Sequence, residues 1–90
     1  MDQEVHIAGI VVFANAPTLN AVISCIQSIP SATLHATSPD GKLVVTLETD
    51  STKRTLDYMD AMRALPGVAH VALVYQHAEP LAALEQEIEP

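Results

Sequence analysis

The sequence predicts an α+β fold of order βαββαβ, a ferredoxin-like sandwich in which a four-stranded antiparallel sheet carries two helices on one face. Three observations lead there. The chain has 90 residues, so it must form one domain around one core. Each of two helical stretches is closed by a proline, at Ile29-Pro30 and Leu65-Pro66, and each leads into a strand, so the halves echo one another. Right-handed crossovers in both halves place the two helices on the same side of the sheet.

Val5 to Phe13 is dense in β-branched residues and ends at Asn15, Ala16 and Pro17. It is too apolar for a half-exposed strand and reads as a central one covered on both faces. Leu19, Val22, Ile23 and Ile26 then recur at helical spacing, with Pro17 in the first turn and Pro30 as the stop. Cys25 continues that stripe beside Val22 and is expected to be a small core residue. Ala32 to Thr37 alternates weakly, as an edge strand does. Ser38-Pro39-Asp40-Gly41 is a turn: proline sets φ, aspartate bonds locally and glycine accepts positive φ. Lys42 to Glu48 alternates clearly.

Asp50 or Ser51 offers an N-cap for the second helix, whose expected buried stripe is Leu56, Met59 and Met62, with Leu65 just beyond. Lys53, Asp57, Asp60 and Arg63 fall on its wet side. Pro66-Gly67 stops it, and Val68 to Gln76 is the last strand. The expected domain is 1–78, followed by an acidic, flexible C-terminal tail, 79–90, in which Leu81, Leu84 and Ile88 hint at a short helical turn.

Charge and composition exclude several function classes. Eleven acids against four bases give a net charge of −7. Nucleic-acid binding needs basic patches, and RNA-binding sheets need stacking aromatics as well; aromatics are only 3% here. An acidic domain instead attracts basic partners and is repelled by anionic membranes. The single cysteine, Cys25, rules out an internal disulfide. The acidic start and the short apolar run Ile7 to Ala14 match neither a secretory signal nor a membrane span, so the chain is expected to be cytoplasmic.

No catalytic set is evident and no cofactor is expected. His6, His35, His70 and His77 form no helical i, i+4 pair, and Cys25 has no Cys-x-x-Cys partner, so no metal site is assigned. His6 and His77, at the ends of the first and last strands, could approach one another across an antiparallel sheet. An acylphosphatase-like enzyme would need an arginine cradle near the first strand, whereas Arg54 and Arg63 both fall in the second helix.

The informative feature is the sheet face without helices. Inward positions are read as Ala8, Ile10 and Val12, then Leu43, Val45 and Leu47, then Val71, Leu73 and Tyr75. That leaves Ile7, Gly9, Val11 and Phe13 outward on the first strand, Val44, Thr46 and Glu48 on the third, and Ala72 and Val74 on the last. Asp50 follows Glu48 at the end of the same row. Such a face should be polar if it only met water, and here it is aliphatic with acids at one end. Gly9 would let a partner approach the backbone closely. A helix that is apolar on one side and cationic at one end fits this surface. Burying about 400 Å² of it at ~25 cal/mol per Å² gives roughly 10 kcal/mol gross, before the cost of association. Cover by the chain's own tail, or by a second copy in a homodimer, is the alternative.

The opening strand through Ile10-Val11-Val12, the helix ending Ile29-Pro30, Gly41-Lys42-Leu43-Val44-Val45, Leu65-Pro66-Gly67-Val68, and Leu73-Val74-Tyr75 with a polar stretch after it together resemble the NapD family, over residues 5–79. These are small cytoplasmic chaperones of the catalytic subunit of periplasmic nitrate reductase. The resemblance implies a ferredoxin-like fold and binding of the twin-arginine signal peptide of that precursor, delaying export until the molybdenum cofactor is inserted and the enzyme has folded. It brings no short binding motif, so the candidate site residues remain those of the face assignment. A small-molecule regulatory domain of the ACT type shares the same element order and is the alternative function.

Overall fold

The elements are β1 (Glu4–Ala14), a 3-10 turn (Ala16–Thr18), α1 (Leu19–Gln27), β2 (Ala32–Thr37), β3 (Lys42–Thr49), α2 (Thr52–Arg63) and β4 (Val68–Pro80). The structure is a computed structural model that describes residues 4–80, with side chains placed for 5–78. The strand order is β2-β3-β1-β4 and each neighbouring pair is antiparallel, which is the expected ferredoxin-like topology. The most apolar segment, β1, takes a central position.

The core lies between the helices and the inward face of the sheet. Ala8, Ile10 and Val12 of β1 meet Leu43, Val45 and Leu47 of β3 and Val71 of β4, below Val22 and Ile26 of α1 and Met59 and Met62 of α2. All are at most 2% exposed. Fully burying a side chain such as Ile10 or Leu43 stabilises by about 1.5–3 kcal/mol relative to leaving it in water. Leu19, Ile23, Ile29 and Leu65 pack around this cluster.

Local chemistry starts and stops the elements. The Ser51 side chain caps α2 by accepting from the Arg54 amide at 3.1 Å, and Arg63 sits in the last turn, where it complements the helix dipole. In the β2–β3 turn, Gly41 takes φ +103°, a conformation that L side chains avoid, and its carbonyl accepts from the Ala14 amide at 2.8 Å. The same turn is tied by the Ser38 hydroxyl, which donates to Asp40.

Several expectations are corrected. Leu56 is 47% exposed and Thr55 takes its place in the core at 1%. The positions 55, 59 and 62 are also helically spaced, and the Thr55 hydroxyl stays satisfied by donating to the Ser51 carbonyl at 3.3 Å and by pairing with the Thr49 hydroxyl at 2.7 Å. Cys25 is exposed, because it lies a quarter turn round α1 from buried Ile26. β4 runs to Pro80, beyond Gln76, since β1 also starts earlier and pairs with it from Glu4. The tail from 81 onward, with the helical turn at Leu81, Leu84 and Ile88, lies outside the described residues.

The helix-free face of the sheet

Register builds this face in cross-strand rows. Ile7 stands between Glu48 of β3 and His77 of β4; Gly9 between Thr46 and Tyr75; Val11 between Val44 and Ala72; Phe13 between Lys42 and His70. The outward positions Ile7, Gly9, Val11, Phe13, Val44, Thr46, Glu48 and Ala72 thus share one face, as the alternation predicts. Phe13 and His70 meet as tilted rings with centroids 5.7 Å apart.

Two β-bulges shape the middle of this face. On β4 the partner of β1 jumps from Tyr75 at Gly9 to Leu73 at Ile10, leaving Val74 unpaired. On β2 the partner of β3 jumps from Leu34 at Val45 to Ala36 at Val44, leaving His35 unpaired. A bulge re-aims side chains, and these two work from opposite sides of the central strand pair. Gly9, Val11, Val44 and Thr46, flanked by His35 from β2 and by Val74 and Tyr75 from β4, line an apolar groove of about 390 Å³. Val44 is 42%, Val74 65% and Tyr75 48% exposed, on a face that has no helix over it.

The bulge at Val74 overturns the inward assignment of Tyr75. The extra residue reverses the parity, so Tyr75 stands outward over Gly9, beside His77 at a ring separation of 6.4 Å. Leu73 keeps its place opposite inward Ile10 but is 44% exposed on the edge strand. Gly9 also serves differently from expectation. It is buried, and a Cβ there would collide with the Tyr75 ring, so the close approach is made by the chain's own tyrosine.

Glu48 and Asp50 lie off the groove. They line a separate polar cleft of about 400 Å³ at the end of β3, with Val5, Ser31, Thr49, Arg54 and Tyr58. Arg54 approaches Asp50 at 3.8 Å, whereas Glu48 has no cationic partner among the described residues. His6 and His77 occupy neighbouring rows, but the alternation puts them on opposite faces of the sheet. Among the described residues no group of three or more metal-binding side chains is placed to hold an ion, and no helix is long and apolar enough to cross a membrane.

His35 and Tyr75 are the groove residues that alternation alone misses. The run Val71 to Tyr75 carries no polar residue to betray a parity change, and one unpaired residue suffices to cause it.

The chain matches the family described as NapD protein over residues 5–80. It belongs to the NapD family. Among solved structures, the solution structure of the Escherichia coli Tat proofreading chaperone protein NapD superposes with a TM-score of 0.76 at 22% identity, covering 83% of this chain and 80% of that one. A transcriptional regulatory protein of Pyrococcus furiosus, a member of the AsnC family, superposes with a TM-score of 0.63 at 14% identity. The superposition covers 84% of this chain and half of the regulator. At these identities both likenesses speak for the fold. No curated protein matches the chain. The match to NapD begins and ends with the paired strands β1 and β4, so it takes in the whole of the helix-free face.

Proposed function

We propose that this chain is a cytoplasmic, non-enzymatic chaperone. It binds the twin-arginine signal peptide of the periplasmic nitrate reductase catalytic subunit and holds back export until cofactor insertion and folding are complete. Membership of the NapD family and the likeness to a Tat proofreading chaperone support the reading. The observation that carries it is the apolar groove at Gly9, Val11, Val44 and Thr46, opened on the side of the sheet that the helices leave uncovered.

The peptide lies along the rows of this face as a helix, with its apolar side against Val11, Val44, Val74 and Tyr75 and flanked by Ile7, Phe13 and Ala72. Its arginines point to the end that carries Glu48 and Asp50. Of these two acids Glu48 is the stronger candidate, since Arg54 already faces Asp50. Apolar burial supplies affinity and the acid supplies orientation and a faster encounter.

The test is a calorimetric titration of the chain with the synthetic leader peptide, beside a control in which both arginines are replaced by lysine. Saturable binding at or below tens of micromolar, weakened in the control, is the expected result. No saturable binding in that range refutes the reading.

A further inference from the structure

We infer that His35 is a specificity-determining residue of the groove: its neutral imidazole accepts a hydrogen bond from an arginine guanidinium of the bound peptide that also reaches Glu48, so protonating the ring weakens binding. The inference rests on the peptide-binding reading above and names the group that reads the arginine.

Geometry supports it. The β2 bulge takes His35 out of the pairing with β3 and brings it to the groove wall. There its Nε2 lies 2.8 Å from the Thr46 hydroxyl, which fixes the ring beside the Gly9 row. The inference requires the Nε2–H tautomer, in which Nε2 donates to Thr46 and Nδ1 presents a lone pair that no other described residue takes up. Glu48 is two residues from Thr46 on the same side of β3, about 7 Å along the strand, within the reach of a guanidinium that offers five donors. An arginine there meets a carboxylate and a neutral acceptor together, whereas a lysine offers a point charge without the planar fork.

Few other charges act on His35. β1 presents Ile7, Gly9, Val11 and Phe13, none of which titrates in the relevant range, and α1, on the opposite face, contains no charged residue. β3 contributes Glu48 and, at the far end, Lys42; β4 contributes His70 and His77 across the central pair. The charged residues of α2 lie on the helix side of the sheet. A protonated His35 has donors on both ring nitrogens and carries the same sign as the arginine.

The experiment measures the affinity of the full-length chain for the synthetic twin-arginine leader between about pH 5.5 and 8. Affinity is expected to fall several-fold on the acid side. His35→Gln is expected to weaken binding several-fold at neutral pH and to remove most of the acid-side loss, while His70→Gln and His77→Gln retain it. A flat wild-type profile, or one that His35→Gln leaves unchanged, overturns the inference while the peptide-binding reading stands. Absence of binding at every pH overturns both, and is told apart by the missing signal at neutral pH.

Discussion

The two faces of this sheet are made from the same strands and nearly the same residue types, yet only one of them is closed. On the helix side Ile10, Val12, Leu43 and Val45 are at most 1% exposed. One residue along on each strand, Val11 is half-buried and Val44 is 42% exposed. An antiparallel sheet with helices on one side needs apolar residues at every second position only. β1 carries them at nearly all positions, which is more than the fold requires. The proposed peptide-binding reading accounts for the surplus on the open side, and on that reading mutations on the two sides should separate stability from binding.

The largest effect expected is on the closed side. Ile10→Ala removes a fully buried side chain at the centre of the core and is expected to cost about 2–5 kcal/mol in denaturant unfolding. Its neighbour Val11→Ala, made on the open side, is expected to cost less than about 1.5 kcal/mol while weakening peptide binding. Similar stability losses for the pair would erase the distinction between the faces.

Val44→Asp sharpens the comparison from the open side. A half-exposed position tolerates the carboxylate in the free protein, so stability should stay within about 1 kcal/mol of the original. In the complex the same carboxylate would be buried against apolar side chains, and affinity should drop by at least about tenfold. Matched losses of melting temperature and affinity would show that Val44 belongs to the core after all.

These contrasts also show how much was legible in the sequence. Strict alternation in β3, with Leu43, Val45 and Leu47 in and Lys42, Val44 and Glu48 out, was readable residue by residue because each inward aliphatic is bracketed by residues that prefer water or tolerate it. β4 was readable only up to its bulge, since period-two reasoning has no means of inserting one unpaired residue at Val74. α2 misled for a different reason. Leucine outranks threonine as a core candidate on hydrophobicity, but Thr55 faces inward next to Thr49 and Ser51, whose oxygens satisfy its hydroxyl. That His35 and Tyr75 flank the groove was therefore hidden, while the existence of an uncovered apolar face was not.

A smaller effect is expected at Gly9, where the two faces are separated by one backbone. Gly9→Ala adds a methyl on the open side into the space of the Tyr75 ring, which must swing away. Tyr75 is on the surface, so the displacement should cost no more than about 1–2 kcal/mol. The signature to seek is in the NMR spectrum: altered ring resonances of Tyr75 and of His77 beside it, with those of Tyr58, which packs against the core on the helix side, unchanged. A variant whose Tyr75 signals match the original would place the ring elsewhere.

The smallest effect tests the turn that joins β2 to β3, the two strands that bring His35 and Thr46 together. The Ser38 hydroxyl donates to Asp40 and holds its carboxyl below the usual carboxylate range against an opposing desolvation, with smaller help from a backbone contact and the nearby charge of Lys42. A carboxyl whose folded value is lowered contributes stability that is fully present above its unfolded value of 3.8 and is lost as pH falls through the lower folded value. Asp40→Asn removes this linkage. The two proteins should therefore differ in melting temperature near neutral pH, and the difference should shrink as pH drops below 3.8. Because Asp40 is fully exposed, solvent screens the interaction and the gap should be small. A gap that is constant across that range would mean that the carboxylate charge contributes nothing to the turn, leaving the Ser38 hydroxyl, which also accepts from the Lys42 amide at 3.2 Å, to hold it by neutral hydrogen bonds.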